Sequence, residues 1–342
     1  MSEKEIGFGV FGVAHHHSHP FASAVLHHSN TRLAGVYDRD KKRGKAFAAK
    51  FSIPYFENLD DLFEIVQAGI VTSENASKKS IAIALARAGK HILCDKPLGI
   101  DSKESLEIIK ECKKSNVKLQ VGYLSRYTPG ALEAKRIISS GKIGRVKFIS
   151  GENRVDAGVV KQLSGWLAFS KMNGGKGALL EHSVHVADLA QWYVESQPVS
   201  AYAVRAKNLD PSFQIEDNFS ILVKYRNGSC ATLDGSYCRS SSGRPGDVIL
   251  EVVGEKGKVR IQVQRKALEL YEGQEPHTIH SLIQTKLGDS YEGLACRNMI
   301  DDLVCCILND KEPLTSGDDA LMVNALVEAS YRSLSSGEVE KV

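Results

Sequence analysis

Lys96 and the trio Glu181, His185 and Asp188 are the residues of this chain whose types and spacing best suit catalysis. The trio stands at i, i+4 and i+7, so a helix through it presents all three side chains on one face. An imidazole of ordinary pKa, about 6.5, accepts a hydroxyl proton at neutral pH, and a neighbouring carboxylate fixes its tautomer and raises its basicity. His185 is therefore the candidate general base. Glu181 is expected to touch substrate or polarise the relay, and Asp188 to orient His185 or close a helix contact. His182 falls off this face and is not read as the base. Lys96 follows the apolar run His91 to Cys94 and precedes the chain-stiffening Pro97. At the carboxyl end of a parallel strand it faces a ligand crevice. Its ammonium there can hydrogen-bond a substrate hydroxyl and stabilise alkoxide character while hydride leaves the adjoining carbon.

A hydride needs an acceptor, and the amino-terminal sequence offers a place for one. Gly7-Phe8-Gly9-Val10-Phe11-Gly12 is a literal GxGxxG, but such a loop must follow a strand and open a helix. Met1 to Ile6 are too few and too polar for that strand, whereas Ile6, Phe8, Val10 and Phe11 make a good one if Gly12 is the turn glycine. The phosphate loop is therefore read as Gly12-Val13-Ala14-His15-His16-His17, and Asp38 then lies about 20 residues beyond it, where a ribose-binding acid belongs. Ala14 and His17 replace glycines in this register, which is expected to weaken dinucleotide affinity without abolishing it. The helix entered near Ser18 to Pro20 still offers N–H groups and a positive dipole end to a phosphate. Asp38 suits the two ribose hydroxyls of NAD and repels a 2′-phosphate, whereas Arg39 attracts one. NAD is the expected cofactor and NADP the alternative. His15, His16, His17 and His19 suggest metal by type, but consecutive loop residues diverge and no acid or cysteine completes a set, so no metal is expected.

The elements that must hold these groups follow from periodicity. Short apolar runs alternate with amphipathic stretches in the first third: strands at Ile6 to Phe11, Leu33 to Tyr37, Pro54 to Phe56, Ile70 to Ser73, His91 to Cys94 and Val117 to Val121, with helices between. Asp40 caps a helix to Phe51, the Ser80 to Ala88 helix ends at Gly89, and Asp101 with Glu104 forms a capping box for a helix to Lys114. Beyond about Ser125 longer strands separated by turns predict a mainly antiparallel sheet, with Asn227-Gly228 a hairpin turn. Helices at roughly Leu294 to Leu308 and Asp319 to Leu334 finish the chain. The expected architecture is an N-terminal Rossmann domain over residues 1–124, a doubly wound parallel sheet, and a C-terminal α+β domain over 125–342 with a large, mainly antiparallel open sheet.

Asp95-Lys96-Pro97, preceded by Ala88-Gly89-Lys90 and followed by Gly122-Tyr123, Arg126-Tyr127, Pro129 and Gly141-Lys142-Ile143-Gly144, resembles the glucose-fructose oxidoreductase/inositol dehydrogenase/rhizopine catabolism (Gfo/Idh/MocA) family. The most specific block is Gly174 to Asp188, similar to that family's glycine-rich entry into a helix bearing Asp-x-x-x-His-x-x-Asp. The resemblance covers nearly the whole chain. It implies reversible hydride transfer between NAD(P) and a secondary alcohol of a sugar, inositol or related cyclic polyol. Cofactor contacts are implied at Ser73, Asn75, Asp95 and Lys96, besides residues 12–17, Asp38 and Arg39. Substrate contacts are implied at Lys96, Arg126, Tyr127, Trp166, Glu181 and His185, with Arg126 and Tyr127 equally suited to joining domains. Three departures bear on substrate and nicotinamide contacts. Glu181 stands where the family has Asp and Asp95 where it has Glu, and only Asn75 survives of the family's Thr-Pro-Asn-x-x-His at Ser73 to Lys78. Two other readings are a glycosidase that retains NAD and a non-catalytic dinucleotide-dependent regulatory protein; intact Lys96 and His185 argue against the second.

Bulk properties narrow the field further. A net charge of +3 arises from interspersed charges without a basic stripe, so a small-molecule partner is expected rather than nucleic acid or a membrane. Seven cysteines without a CxxC pair, the absence of a long apolar run and an N-terminus unlike a signal peptide predict a soluble cytoplasmic protein. The broad sheet of the second domain is expected to be buried in a homodimer or homotetramer.

Overall fold

A strand rich in Phe and Val with no charged residue belongs inside a sheet, and β1 (Ile6–Val13) is buried at every position. The computed structural model describes residues 5–156, 176–211, 213–237, 247–263, 267–272, 275–277 and 291–342. β1 is joined by β2 (Thr31–Tyr37), β3 (Tyr55–Phe56), β4 (Ala68–Thr72), β5 (His91–Cys94) and β6 (Leu119–Val121) in the order β3-β2-β1-β4-β5-β6, every pair parallel. Burying Phe8, Val10 and Phe11 completely contributes about 1.5–3 kcal/mol each. The helices packed on this sheet are α1 (Ser18–His27), α2 (Lys41–Phe51), α3 (Leu59–Phe63) and α4 (Asn75–Arg87); α5 (Ser102–Lys114) packs on α4. Local capping sets their starts, since Asp40 accepts the Arg43 N–H at 3.1 Å and Asp101 the Glu104 N–H at 2.7 Å. α4 begins five residues earlier than the apolar period suggests. Asn75 to Lys79 is polar by sequence, yet Asn75 and Lys78 are buried.

The second sheet is mixed and has nine strands: β7 (Val146–Arg154), β8 (Pro198–Val204), β9 (Asn218–Tyr225), β10 (Cys230–Ser236), β11 (Asp247–Gly254), β12 (Gly257–Gln262), β13 (Ala267–Glu272), β14 (Glu275–His277) and β15 (Glu340–Lys341). Their order is β14-β13-β12-β11-β7-β10-β9-β8-β15, with only the β7–β10 pair parallel. The hairpin at Asn227-Gly228 joins β9 to β10, and Gly228 supplies the positive φ of 88° that this turn demands. α6 (Pro129–Ser139) precedes the sheet and α7 (Ala178–Val194) packs on β7, β9, β10 and β11. Along β9 the buried and exposed positions alternate, so one face lies under helices and the other is open.

Among the described residues the chain forms two compact units. The first comprises residues 5–124 together with 292–321, which include most of α8 (Tyr291–Asn309) and the start of α9 (Gly317–Ser336). The return is anchored by Gln120, whose amide donates to the Met299 carbonyl at 3.2 Å and the Asp302 carboxylate at 3.0 Å. The described residues of 125–156, 176–291 and 322–342 make up the second.

Candidate functional site

In the first unit the carboxyl ends of β1, β4 and β5 bring three segments together. Gly12 follows Phe11 with φ of 81°, and a Cβ placed there would lie 2.4 Å from the Ser73 Cβ. Only glycine fits this kink near the end of β1, whereas Gly7 and Gly9 lie earlier in the strand. α1 opens directly behind the loop, with no acid in its first turn, so its positive end suits an anion. The glycine turn and the absence of an acid fit the pyrophosphate of a dinucleotide. The first N–H groups of the helix are nevertheless engaged, contrary to expectation. His17 N–H donates to His15 Nδ1 at 3.3 Å, Ser18 N–H to the His15 carbonyl at 3.1 Å and His19 N–H to the His16 carbonyl at 3.2 Å. The entry is a tight i to i+3 turn that consumes these donors locally.

That turn also draws the three imidazoles together, where divergence was expected. Ring centroids of His15, His16 and His17 are 4.2–4.4 Å apart, and one nitrogen from each lies within 4.8 Å of the others. Acids do approach them: Asp95 Oδ1 is 2.9 Å from His17 Nδ1, Asp95 Oδ2 is 3.0 Å from His15 Nδ1, and Glu292 is 3.9 Å from His16 Nε2. Burial, then His17 and His16, then the Lys96 and Lys78 ammoniums hold His15 well below the usual imidazole range. The same ammoniums oppose a further cation here. Burial would raise the Asp95 carboxyl, but His17, Lys78 and Lys96 overcome it and hold it at about 2. His17, in place of a glycine, thus ties the loop to the residue before Lys96.

The carboxyl end of β2 carries a network of charges. Asp38 is buried and accepts from Val13 N–H at 2.7 Å, Asp40 N–H at 2.8 Å and both sides of the Arg43 fork at 2.9 and 2.7 Å. Ribose hydroxyls would therefore have to displace Arg43, whose side chain keeps 23% exposure. Arg43 and Arg39 also reach Glu74, at 2.9 and 3.1 Å. Arg43 and Glu74 were not singled out from sequence; an arginine five residues after the acid was the available signal. Ser73 and Asn75 are buried at the start of α4, and Lys96 is 4% exposed just beyond β5, joined to Pro97 by a cis bond.

The second unit holds the other candidates. Glu181, His185 and Asp188 lie on α7 as the spacing predicts. Gly177 caps the start of this helix, where a Cβ would stand 2.0 Å from the Glu216 carbonyl oxygen, which accepts the Ala178 N–H at 2.8 Å. Glu181 and Asp188 are buried and His185 is half-buried. Asp188 receives the Arg126 fork, Nε to Oδ2 at 2.8 Å and Nη2 to Oδ1 at 2.6 Å, and the guanidinium stands 5.3 Å from the Trp192 ring centroid. Arg126 thus serves a helix contact, a partnership that sequence reasoning missed because 62 positions separate the two. Tyr127 is buried beside it in the 3-10 turn Leu124–Tyr127. His182 meets Asn153 and, edge-on, Tyr237. Trp166 lies outside the described residues.

Comparison with known proteins finds family models over both halves of the sequence. A family model described as oxidoreductase family, NAD-binding Rossmann fold, matches residues 6–123, and the same family's C-terminal alpha/beta domain matches residues 135–342. The chain is similar to inositol 2-dehydrogenase 2 of Saccharopolyspora erythraea, 28% identical with 98% of this chain and 94% of that protein covered. It is also similar to inositol 2-dehydrogenase of Rhizobium meliloti, at 25% identity with 96% and 95% covered. The fold matches that of an oxidoreductase from Agrobacterium radiobacter solved with NAD+, L-tartaric acid and magnesium, at TM-score 0.87 and 20% identity, covering 99% and 98% of the two chains.

Proposed function

Because the chain belongs to the Gfo/Idh/MocA oxidoreductase family over both its domains, we propose that it is an NAD-dependent dehydrogenase of a secondary alcohol in a sugar, inositol or related cyclic polyol. The observation that carries this reading is the burial of Lys96 just beyond β5, directly after Asp95, whose carboxylate lies 3.0 and 2.9 Å from His15 and His17 of the glycine-turn loop. When bound, NAD supplies the hydride acceptor. Residues 12–17 and the α1 end would hold its pyrophosphate, Asp38 and Arg39 its adenosine ribose, and Ser73, Asn75 and Asp95 the remainder. Lys96 hydrogen-bonds the reacting hydroxyl and stabilises alkoxide character, His185 takes the hydroxyl proton, and Glu181 touches substrate or polarises that relay. Through Arg126, Asp188 fixes the helix that carries Glu181 and His185.

We further propose that a second copy covers the open face of the nine-stranded sheet, where Tyr202 and Leu222 pair in register and remain 37% and 50% exposed. A reducing, cytoplasmic setting accords with the free cysteines among the described residues.

The test is absorbance of reduced nicotinamide with NAD and a panel of inositols, sugars and sugar acids, run beside Lys96→Met and His185→Ala. Turnover that falls about 10²–10⁴-fold in each variant is expected. Dinucleotide binding without net reduction by any member of the panel would instead favour the glycosidase or regulatory reading.

A further inference from the structure

Lys78 is the least expected buried charge in the first unit. It lies in the first turn of α4 at 1% exposure, where an apolar side chain would avoid the several kcal/mol of desolvation that an ammonium incurs. Its Nζ donates to the Lys96 carbonyl at 2.7 Å and to the Pro97 carbonyl at 3.2 Å. Those oxygens belong to the residue assigned to the reacting hydroxyl and to the proline after it. The Asp95 carboxylate feels the same ammonium, so Lys78 has both a hydrogen-bonding and a charge-balancing reason to be there. Ser77 Oγ accepts from Arg39 at 3.3 Å, and Lys79 reaches Glu104 and Glu107 on α5 at 3.3 Å each.

We propose that Lys78 is a positioning residue that pins the backbone of Lys96 and Pro97 and so aims the Lys96 ammonium. The inference rests on the reading of Lys96 as a catalytic residue. Lys78 itself touches no substrate; it fixes where the backbone of Lys96 sits. Removing its donors leaves two buried carbonyls to find other partners, and a displacement of about 1 Å at a reacting group can lower turnover about 10²-fold.

The experiment compares Lys78→Met, Lys78→Arg, Lys96→Met and the Lys78→Met/Lys96→Met double variant, using the most active polyol of the panel with NAD. Lys78→Met is expected to lower kcat about 10–100-fold while NADH binding, read by fluorescence, changes less than about threefold. Lys78→Arg restores most of the loss. In the Lys96→Met background, Lys78→Met has no further effect, because its action passes through Lys96. Independently of turnover, hydrogen exchange in the peptide spanning residues 95–100 quickens in Lys78→Met and not elsewhere on the parallel sheet. An unchanged kcat beside an inactive Lys96→Met overturns the proposal while leaving Lys96 catalytic, and so do losses that multiply in the double variant. Full turnover in Lys96→Met removes the catalytic reading and this one with it. If Lys78→Met does not fold, Lys78→Gln, which keeps a donor on a shorter stem, is measured against the same criteria.

Discussion

Arg126 grips Asp188 with both sides of its guanidinium, at 2.8 and 2.6 Å, and neither side chain has more than 2% exposure. A bidentate pair this deeply buried gains geometric precision from the arginine fork. Its stability value depends on both members being present. Arg126→Met strands an anion and is expected to cost about 3–5 kcal/mol in urea unfolding. Adding Asp188→Leu should recover much of that loss, because no uncompensated charge remains. Strictly additive losses in the double variant would show that the two act separately.

How far such features can be foreseen depends on the sequence distance they span. The caps at Asp40 and Asp101 rest on contacts three residues away, and β1 announces itself by its apolar run, so each was legible from residue type alone. The i, i+4, i+7 face of α7 was legible for the same reason. Lys78 was not, since its partners are 18 and 19 positions away and an exposed lysine in a first helical turn is the ordinary case. The convergence of His15 and His17 on Asp95 required knowing that β1 and β5 both flank β4. That is a property of the parallel sheet order, which no local pattern carries. Arg43 closing over Asp38 is a contact of only five positions, but a ribose-binding acid and a salt-bridged one look alike in sequence.

Acidification should destabilise this protein in two windows. The folded pKa of His15 lies well below 6.5, so below about pH 6.5 the unfolded chain binds a proton that the native state refuses, and stability falls. Asp95 falls from 3.8 to about 2 on folding. Its contribution, roughly 2 kcal/mol, is present above about pH 4 and is lost as pH drops toward 2. Urea midpoints from pH 8 to 5 should decline less steeply in His15→Gln. His16, His19 and His91, which burial also lowers, sustain the remaining slope. An unchanged slope in His15→Gln would contradict the assignment.

Asp38 should govern the choice between dinucleotides. On the proposed reading its carboxylate, buried among four donors, binds ribose hydroxyls once Arg43 swings out, and its charge repels a 2′-phosphate. Asp38→Ser is expected to weaken NADH binding about 10–100-fold, the loss of hydrogen bonds to a charged group. NADPH affinity should hold or improve, because Arg43 is then released from one of its two anions. Fluorescence titrations with both reduced dinucleotides measure the ratio; a parallel loss for both would mean that Asp38 is only a structural partner of Arg43.

The phosphate loop should respond oppositely to two small substitutions two residues apart. Gly12→Ala forces a side chain into a positive φ of 81° and against Ser73 at 2.4 Å. The conformational penalty alone is about 1–2 kcal/mol, and the contact adds to it because Ser73 must move. A lowered Tm and weakened NADH binding are expected together. Ala14→Gly removes the methyl group that stands where a glycine lets backbone approach pyrophosphate. It should tighten NADH binding while lowering Tm slightly through the greater freedom of the unfolded chain. If affinity does not change in Ala14→Gly, the methyl group is no obstacle, and the departure from the glycine pattern is absorbed at His17, whose ring is turned away onto Asp95.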